Sequence, residues 1–104
     1  MQLDIFRLGN KISSYLSNDE KIKLFLFIDT KQPKDLIIEM GNAHYSIPLD
    51  DVTYIVAKNN LNLRRDAMPD EINSYYDAVY DVLSKHILNQ LWKNQGDIVF
   101  KNIL

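Results

Sequence analysis

The sequence predicts an α+β domain in which helices cover one face of a three-stranded antiparallel sheet. Three observations lead to this fold class. Two runs of alternating apolar residues meet at a Gly-Asn pair, a third such run precedes them, and helical apolar stripes flank all three. The predicted order is an N-terminal helix, a three-stranded meander, a short helix and a long C-terminal helix, all within one domain spanning residues 1–104.

The first predicted element is a helix from Leu3 to Leu16. Its apolar residues recur at helical spacing; they are Ile5, Leu8, Ile12, Tyr15 and Leu16. Gly9 weakens the middle of this helix by about 1 kcal/mol relative to Ala. The polar residues 17–19 are expected to end the helix, so that the sheet follows directly.

The turn at Gly41-Asn42 sets the register of the meander. The first position of a two-residue hairpin turn needs a positive φ, which Gly adopts freely. The predicted pairs are Met40 with Ala43, Glu39 with His44, Ile38 with Tyr45, Ile37 with Ser46 and Leu36 with Ile47. The preceding strand, residues 21–28, is expected to pair on the other side, with Ile28 opposite Leu36.

Alternation along the strands sorts the side chains between two faces of the sheet. The face predicted to be buried carries Ile22, Leu24, Leu26, Ile28, Leu36, Ile38, Met40, Ala43, Tyr45 and Ile47. The opposite face is polar except for Phe25, Phe27 and Ile37. The first helix is expected to cover these three side chains, because a bare aromatic sheet face favours aggregation.

Residues 50–59 are compatible with two structures. The stretch from Val52 to Val56 has high β-propensity. However, Asp50 is a good N-cap, and one helical face would collect Val52, Ile55 and Val56. We predict a short helix here, with a fourth strand as the alternative.

The long C-terminal helix has the clearest start and stop signals. Pro69 fits its first turn, Asp70 and Glu71 suit the positive end of the helix dipole, and Gly96 supplies the stop. Its predicted apolar stripe consists of Ile72, Tyr75, Tyr76, Val79, Val82, Leu83, Ile87 and Leu91. Residues 97–104 are strongly apolar and are expected to pack on the domain, an edge strand being one way to do so.

Composition limits the function classes. The chain has 104 residues, a net charge of −2 and no cysteine. Lack of cysteine excludes disulfides and thiolate metal sites and fits a cytoplasmic protein, and no apolar run reaches membrane-spanning length. The weak net charge argues against a nucleic-acid binder driven by electrostatics. Abundant Ile, Asn, Lys and Tyr are typical of AT-rich genomes, such as those of low-GC bacteria and their phages.

No group of residues predicts catalysis. His44 and His86 lie on different elements, and neither belongs to a ligand pair at metal-binding spacing. Asp77 and Asp81 share a helical face, but two carboxylates are too few to enclose a cation. We therefore expect a protein that is not an enzyme and needs no cofactor or metal. A small metal-dependent enzyme using either His is the second alternative.

The leading functional hypothesis is a small non-catalytic module that binds another protein, either a host factor or a second copy of itself. One form of it is a phage or mobile-element protein that inhibits or modulates a host factor, and the element order is similar to that of some phage inhibitors of host nucleases. The predicted partner-binding residues are Tyr80, Leu88 and Trp92 on the back of the long helix and Phe25, Phe27 and Ile37 on the sheet. The first alternative is a nucleic-acid-binding regulator that uses Lys58, Arg64 and Arg65.

Overall fold

The computed structural model describes residues 3–29, 31, 34–59, 63 and 65–95. In order, the elements are α1 (Ile5–Ser13), α2 (Asn18–Lys21), β1 (Leu24–Ile28), β2 (Asp35–Met40), β3 (Ala43–Pro48), α3 (Leu49–Lys58) and α4 (Pro69–Gln95). The predicted α+β order is confirmed, with α2 as an addition. The predictions for Arg64, for the stop at Gly96 and for residues 97–104 lie outside the described residues.

The three strands form an antiparallel sheet in the order β1-β2-β3. Every predicted pair between β2 and β3 is present, and β1 pairs with β2 so that Ile28 lies opposite Leu36. Gly41 has a φ of 61°, which a residue with a side chain would adopt only with strain. The turn and the apolar alternation therefore specify the same register.

One face of the sheet packs into the core. Its buried side chains are Leu36, Ile38, Met40, Ala43 and Ile47, with Leu24, Leu26, Ile28 and Tyr45 partly buried beside them. Ile22 does not belong to this face as predicted. It lies in the turn between α2 and β1, with 78% of its surface exposed, because the strand begins only at Leu24.

The segment predicted to end the first helix starts a second one. The Ser17 side chain accepts a hydrogen bond from the Glu20 backbone N–H, and the Glu20 carboxylate accepts one from the Ser17 backbone N–H. This reciprocal capping box gives the backbone N–H groups of Ser17 and Glu20 side-chain acceptors at the start of the helix. The residues expected to break helical structure thus redirect the chain through α2 into β1.

The short helix is confirmed and the alternative strand is excluded, but its predicted cap is wrong. α3 begins at Leu49 with Pro48 at the N-cap position and no side-chain capping bond. Asp50 lies in the first turn instead, where its charge still suits the positive end of the helix dipole. The N-cap lies two residues earlier than predicted because β3 runs directly into the helix, with no loop between the two elements.

The first helix packs on α4 and on the core face of β1, so the prediction that it covers the outer face of the sheet is wrong. The Tyr80 hydroxyl accepts a hydrogen bond from the Asp4 backbone N–H at 2.8 Å. At Gly9, a Cβ would lie 3.8 Å from the Leu26 side chain, which points into the core. The buried side chains Leu8 and Ile12 join the same core cluster as the sheet and α4. Both α1 and α4 therefore lie on one side of the sheet.

None of the helices among the described residues combines the length and the apolar character needed to cross a membrane.

Candidate protein-binding site

The predicted patch on the back of α4 does not form an exposed surface. Leu88 is fully buried and Tyr80 is 3% exposed, whereas Trp92 remains half exposed. Tyr80 is covered because α1 packs along this side of α4, with Arg7 lying 5.2 Å above the Tyr80 ring. The exposure expected for Leu88 and Tyr80 is therefore wrong, and of these three residues Trp92 alone has a large exposed surface.

The outer face of the sheet keeps its aromatic side chains in solvent. Phe25 is 62% exposed and Phe27 is 46% exposed, with Ile37 half-buried beside them. We call the outward-facing set the outer sheet face; it consists of Phe25, Phe27, Ile37, Glu39, His44 and Ser46. The structure thus brings together the three sheet residues that the sequence predicted to bind a partner.

The strand register arranges the outer sheet face in two rows. Phe25, Glu39 and His44 lie side by side across the three strands, and the second row contains Phe27, Ile37 and Ser46. Neighbouring rows on one face are two residues apart along each strand, or about 7 Å. The apolar side chains therefore cluster on β1 and β2, and the exposed polar side chains of β2 and β3 border them. An apolar centre with a polar border is the usual organisation of a protein interface.

The two His residues lie in different surroundings. His44 is on the outer sheet face opposite Glu39, as predicted. His86 is half-buried, as predicted, and its Nε2 lies 3.1 Å from the Tyr45 hydroxyl. Burial lowers the pKa of His86, and the positive charges of Lys58 and Lys93 lower it further. Burial also raises the pKa of the Tyr45 hydroxyl, so both groups are held in their neutral forms near pH 7.

The two carboxylates predicted to share a face of α4 make contacts with α1, with the turn that follows α1, and with α4 itself. Asp77 accepts a hydrogen bond from Lys11 at 3.4 Å. Asp81 accepts one from the Tyr15 hydroxyl and pairs with Lys85 at 3.1 Å. Burial opposes ionisation of Asp81, but the bonds from Tyr15 and Lys85 outweigh it and lower the pKa of this carboxyl. These two acids hold α1 against α4.

The residues of the nucleic-acid alternative do not form a described cluster. Lys58 ends α3 and Arg65 lies in the turn before α4, and both are exposed. Arg64 is outside the described residues. Nucleic-acid binding by these residues stays a prediction.

Within the described part of the chain, no group of three or more His, Asp or Glu side chains could hold a metal ion.

Comparison with protein-family models, with curated proteins and with solved structures finds no match to this chain.

Several exposed apolar side chains were not singled out from the sequence. Phe6 on α1 is 87% exposed and Tyr54 on α3 is 68% exposed. Both lie outside the apolar stripes of their helices. Their exposure could therefore have been predicted from the helical period. Each is a single residue on a helix, whereas the outer sheet face presents apolar side chains on two adjacent strands.

Proposed function

We propose that this chain is a protein-binding module whose contact surface is the outer sheet face. The observation that supports the proposal most strongly is the exposure of Phe25 and Phe27 on one side of β1. Buried aromatic rings contribute strongly to interfaces, since a large apolar area is removed from water at a small cost in side-chain entropy. Two such rings kept in solvent on one strand are therefore well suited to bind a partner.

The backbone under these rings favours binding further. Both phenylalanines lie within a strand that is paired along its length to β2, so they are held in place before a partner arrives. A site built on a strand loses less conformational freedom on binding than a site on a loop. Glu39 and His44, at the border of the apolar centre, can determine which partner is accepted through their charge and hydrogen bonding.

The proposed partner is another protein. A phage or mobile-element protein that acts on a host factor remains the specific form of this proposal, and the skewed residue usage supports it. Three strands of five or six residues span about 14 by 17 Å, which is small beside the roughly 800 Å² per partner of a standard interface. The face is thus expected to be the centre of a contact that extends beyond it.

The proposal is tested by capturing partners from lysate with the immobilised wild-type chain and with Phe25→Ser. Loss of a ring at the centre of an interface should weaken retention of a specific partner about 30-fold or more. Tyr54→Ser is the matched control, because Tyr54 is as exposed as Phe25 but lies on a different element. Circular dichroism verifies that both variants are folded.

A partner that the Phe25→Ser chain retains as well as the wild type does would contradict the proposal. The same conclusion follows if Tyr54→Ser weakens retention as much as Phe25→Ser does, because the contact would then be unspecific.

A further inference from the structure

The hydrogen bonding of β1 shows which of its backbone groups point away from the sheet. The Asp29 backbone N–H donates to the Asp35 carbonyl at 2.8 Å, which identifies these two residues as a hydrogen-bonded pair. Such pairs alternate with non-hydrogen-bonded pairs along an antiparallel ladder. Phe27 and Phe25 therefore direct their N–H and C=O groups toward β2. The groups directed to the opposite edge belong to Leu24, Leu26 and Ile28.

The residues of β1 itself give this edge none of the usual protection against pairing. The strand reads LFLFI, without a charge, a proline or a glycine. In the part of the chain that the structure describes, β2 pairs with one edge of β1 and no strand pairs with the other edge. Natural sheets protect such edges with charged residues, prolines or bulges, because a bare edge is a template for another strand. The composition of β1 is that of a strand that pairs on both sides.

Burial of the core decreases toward the same edge. The inward-facing side chains of β2, among them Leu36 and Ile38, are buried, whereas those of β1 are only half-buried. Leu26 lies under α1, beside Gly9, and still retains exposed surface. The apolar layer is thus less deeply buried on the side toward which Leu24, Leu26 and Ile28 direct their backbone groups.

We propose that β1 pairs with β1 of a second copy of this chain, in antiparallel orientation about a twofold axis, to form a continuous six-stranded sheet. A twofold contact uses the same surface on both partners, and an antiparallel strand pair can be symmetric in this way. One register pairs all three outward-directed residues. It places Leu26 opposite Leu26 of the second copy and Leu24 opposite Ile28.

The same register joins the two outer sheet faces. It places Phe25 of each copy opposite Phe27 of the other, at non-hydrogen-bonded positions where Cα atoms are about 4.5 Å apart. Aromatic side chains at such positions contact each other directly. Four phenylalanine rings then form one aromatic patch across the twofold axis. No other register of this strand both uses all its outward-directed backbone groups and pairs all its rings.

The expected dimer is weak. A five-residue strand is about 17 Å long, and the contact is well below the standard 800 Å² or so per partner, so we expect dissociation at micromolar or higher concentration. Dimerisation does not depend on the proposed function, although it would double the outer sheet face. It is measured on the purified chain alone, so its failure is separate from a failure of partner capture.

Cysteine cross-linking tests the register, since the chain contains no cysteine of its own. Phe25→Cys and Phe27→Cys proteins are mixed and oxidised, and disulfide-linked dimer is measured on non-reducing gels and by mass spectrometry. Facing positions suit a disulfide, whereas two copies of residue 25 lie on the diagonal, about 7–8 Å apart, beyond disulfide reach. The mixture should form about 10-fold more covalent dimer than either variant alone. Tyr54→Cys measures the rate of random collision.

A charge exchange gives a second test. Phe25→Lys/Phe27→Lys places like charges opposite each other and should abolish dimerisation in sedimentation equilibrium. Phe25→Lys/Phe27→Glu places opposite charges together in the same register and should restore it. Both chains carry two substitutions at the same exposed positions, so a general loss of folding would affect them alike, and circular dichroism detects it.

Three results would overturn the proposal. One is a wild-type chain that stays monomeric up to about 1 mM, as it would if residues 97–104 occupied the edge. Another is cross-linking of Phe25→Cys alone at the rate of the mixture, which would indicate a different register. The third is equal association of the two charged double variants.

Discussion

Adjacent residues of β2 differ sharply in what they contribute to stability. Ile38 is fully buried in the core, whereas Ile37 lies half-buried on the outer sheet face. We expect Ile38→Ala to lower the free energy of unfolding by about 2–5 kcal/mol, because it leaves a cavity that the packed core cannot close. Ile37→Ala, the matched control, should cost clearly less. Urea unfolding measures both, and equal losses would contradict the observed register.

His86 makes stability depend on pH. Its pKa is lowered in the folded chain by burial and by the charges of Lys58 and Lys93, so between the folded and the unfolded pKa values only the unfolded chain binds the proton. Stability is therefore independent of this group above about pH 6.5 and falls as the pH decreases below it. Protonation would also put a proton on both ring nitrogens of His86, including the Nε2 that lies 3.1 Å from the Tyr45 hydroxyl.

Urea unfolding between about pH 7.5 and pH 5.5 measures this effect. The decrease in the free energy of unfolding below about pH 6.5 should be smaller in His86→Gln than in the wild type. Phe6→Gln, at an exposed position of α1 that carries no titrating group, is the control and should retain the wild-type decrease. An identical pH profile for His86→Gln and the wild type would show that another group is responsible.

At the scale of elements, the turn that follows α1 is attached to α4 by a hydrogen bond. The Tyr15 hydroxyl donates to the Asp81 carboxylate, which also pairs with Lys85. We expect Tyr15→Phe to cost about 1–2 kcal/mol at neutral pH, since a partly buried charged acceptor loses its donor. Lys11→Met removes the more exposed pair with Asp77 and should cost less than about 1 kcal/mol. Thermal unfolding measures the loss of stability in both variants. A larger loss for Lys11→Met than for Tyr15→Phe would contradict the conclusion that the Tyr15–Asp81 hydrogen bond is the stronger contact.

Elements with a repeating pattern were predictable from the sequence, and short connecting elements were not. The register of the sheet followed from Gly41 and the alternation around it, and α4 followed from its stripe and first-turn residues. The helix α2 was missed because four residues are too few to show a period. Its signal is the pair Ser17 and Glu20, which matches a capping box, whereas the polar residues 17–19 taken alone predict a break.

The candidate site was predicted only in part, because the pattern of one element does not show which other element packs on it. Alternation along β1 identified Phe25 and Phe27 as outward-facing, and the structure agrees. The period of α4 could not show that α1 packs against the side bearing Tyr80, nor that Leu88 is fully buried. A stripe indicates which residues avoid water, but the element that covers them depends on tertiary packing. Consequently one predicted surface is exposed and the other is largely buried.

In the molecule as a whole, the described core lies on one side of the sheet. Side chains from α1, α3, α4 and the inner face of the strands form a single apolar cluster. The outer sheet face takes no part in it, although it carries large apolar side chains. The same strands thus serve stability through one face and remain available for contact through the other.

This asymmetry predicts that stability and solubility can be changed separately. The chain with Phe25→Thr and Phe27→Thr should unfold within about 1 kcal/mol of the wild type, because the rings are about half exposed or more and Thr is favourable in strands. Its solubility in ammonium sulfate should rise, because exposed aromatic surface promotes association. Ile38→Thr changes the same kind of strand position on the inner face and should destabilise the fold by several kcal/mol. Equal effects of the outer and inner substitutions on unfolding would mean that both faces of the sheet are buried in solution.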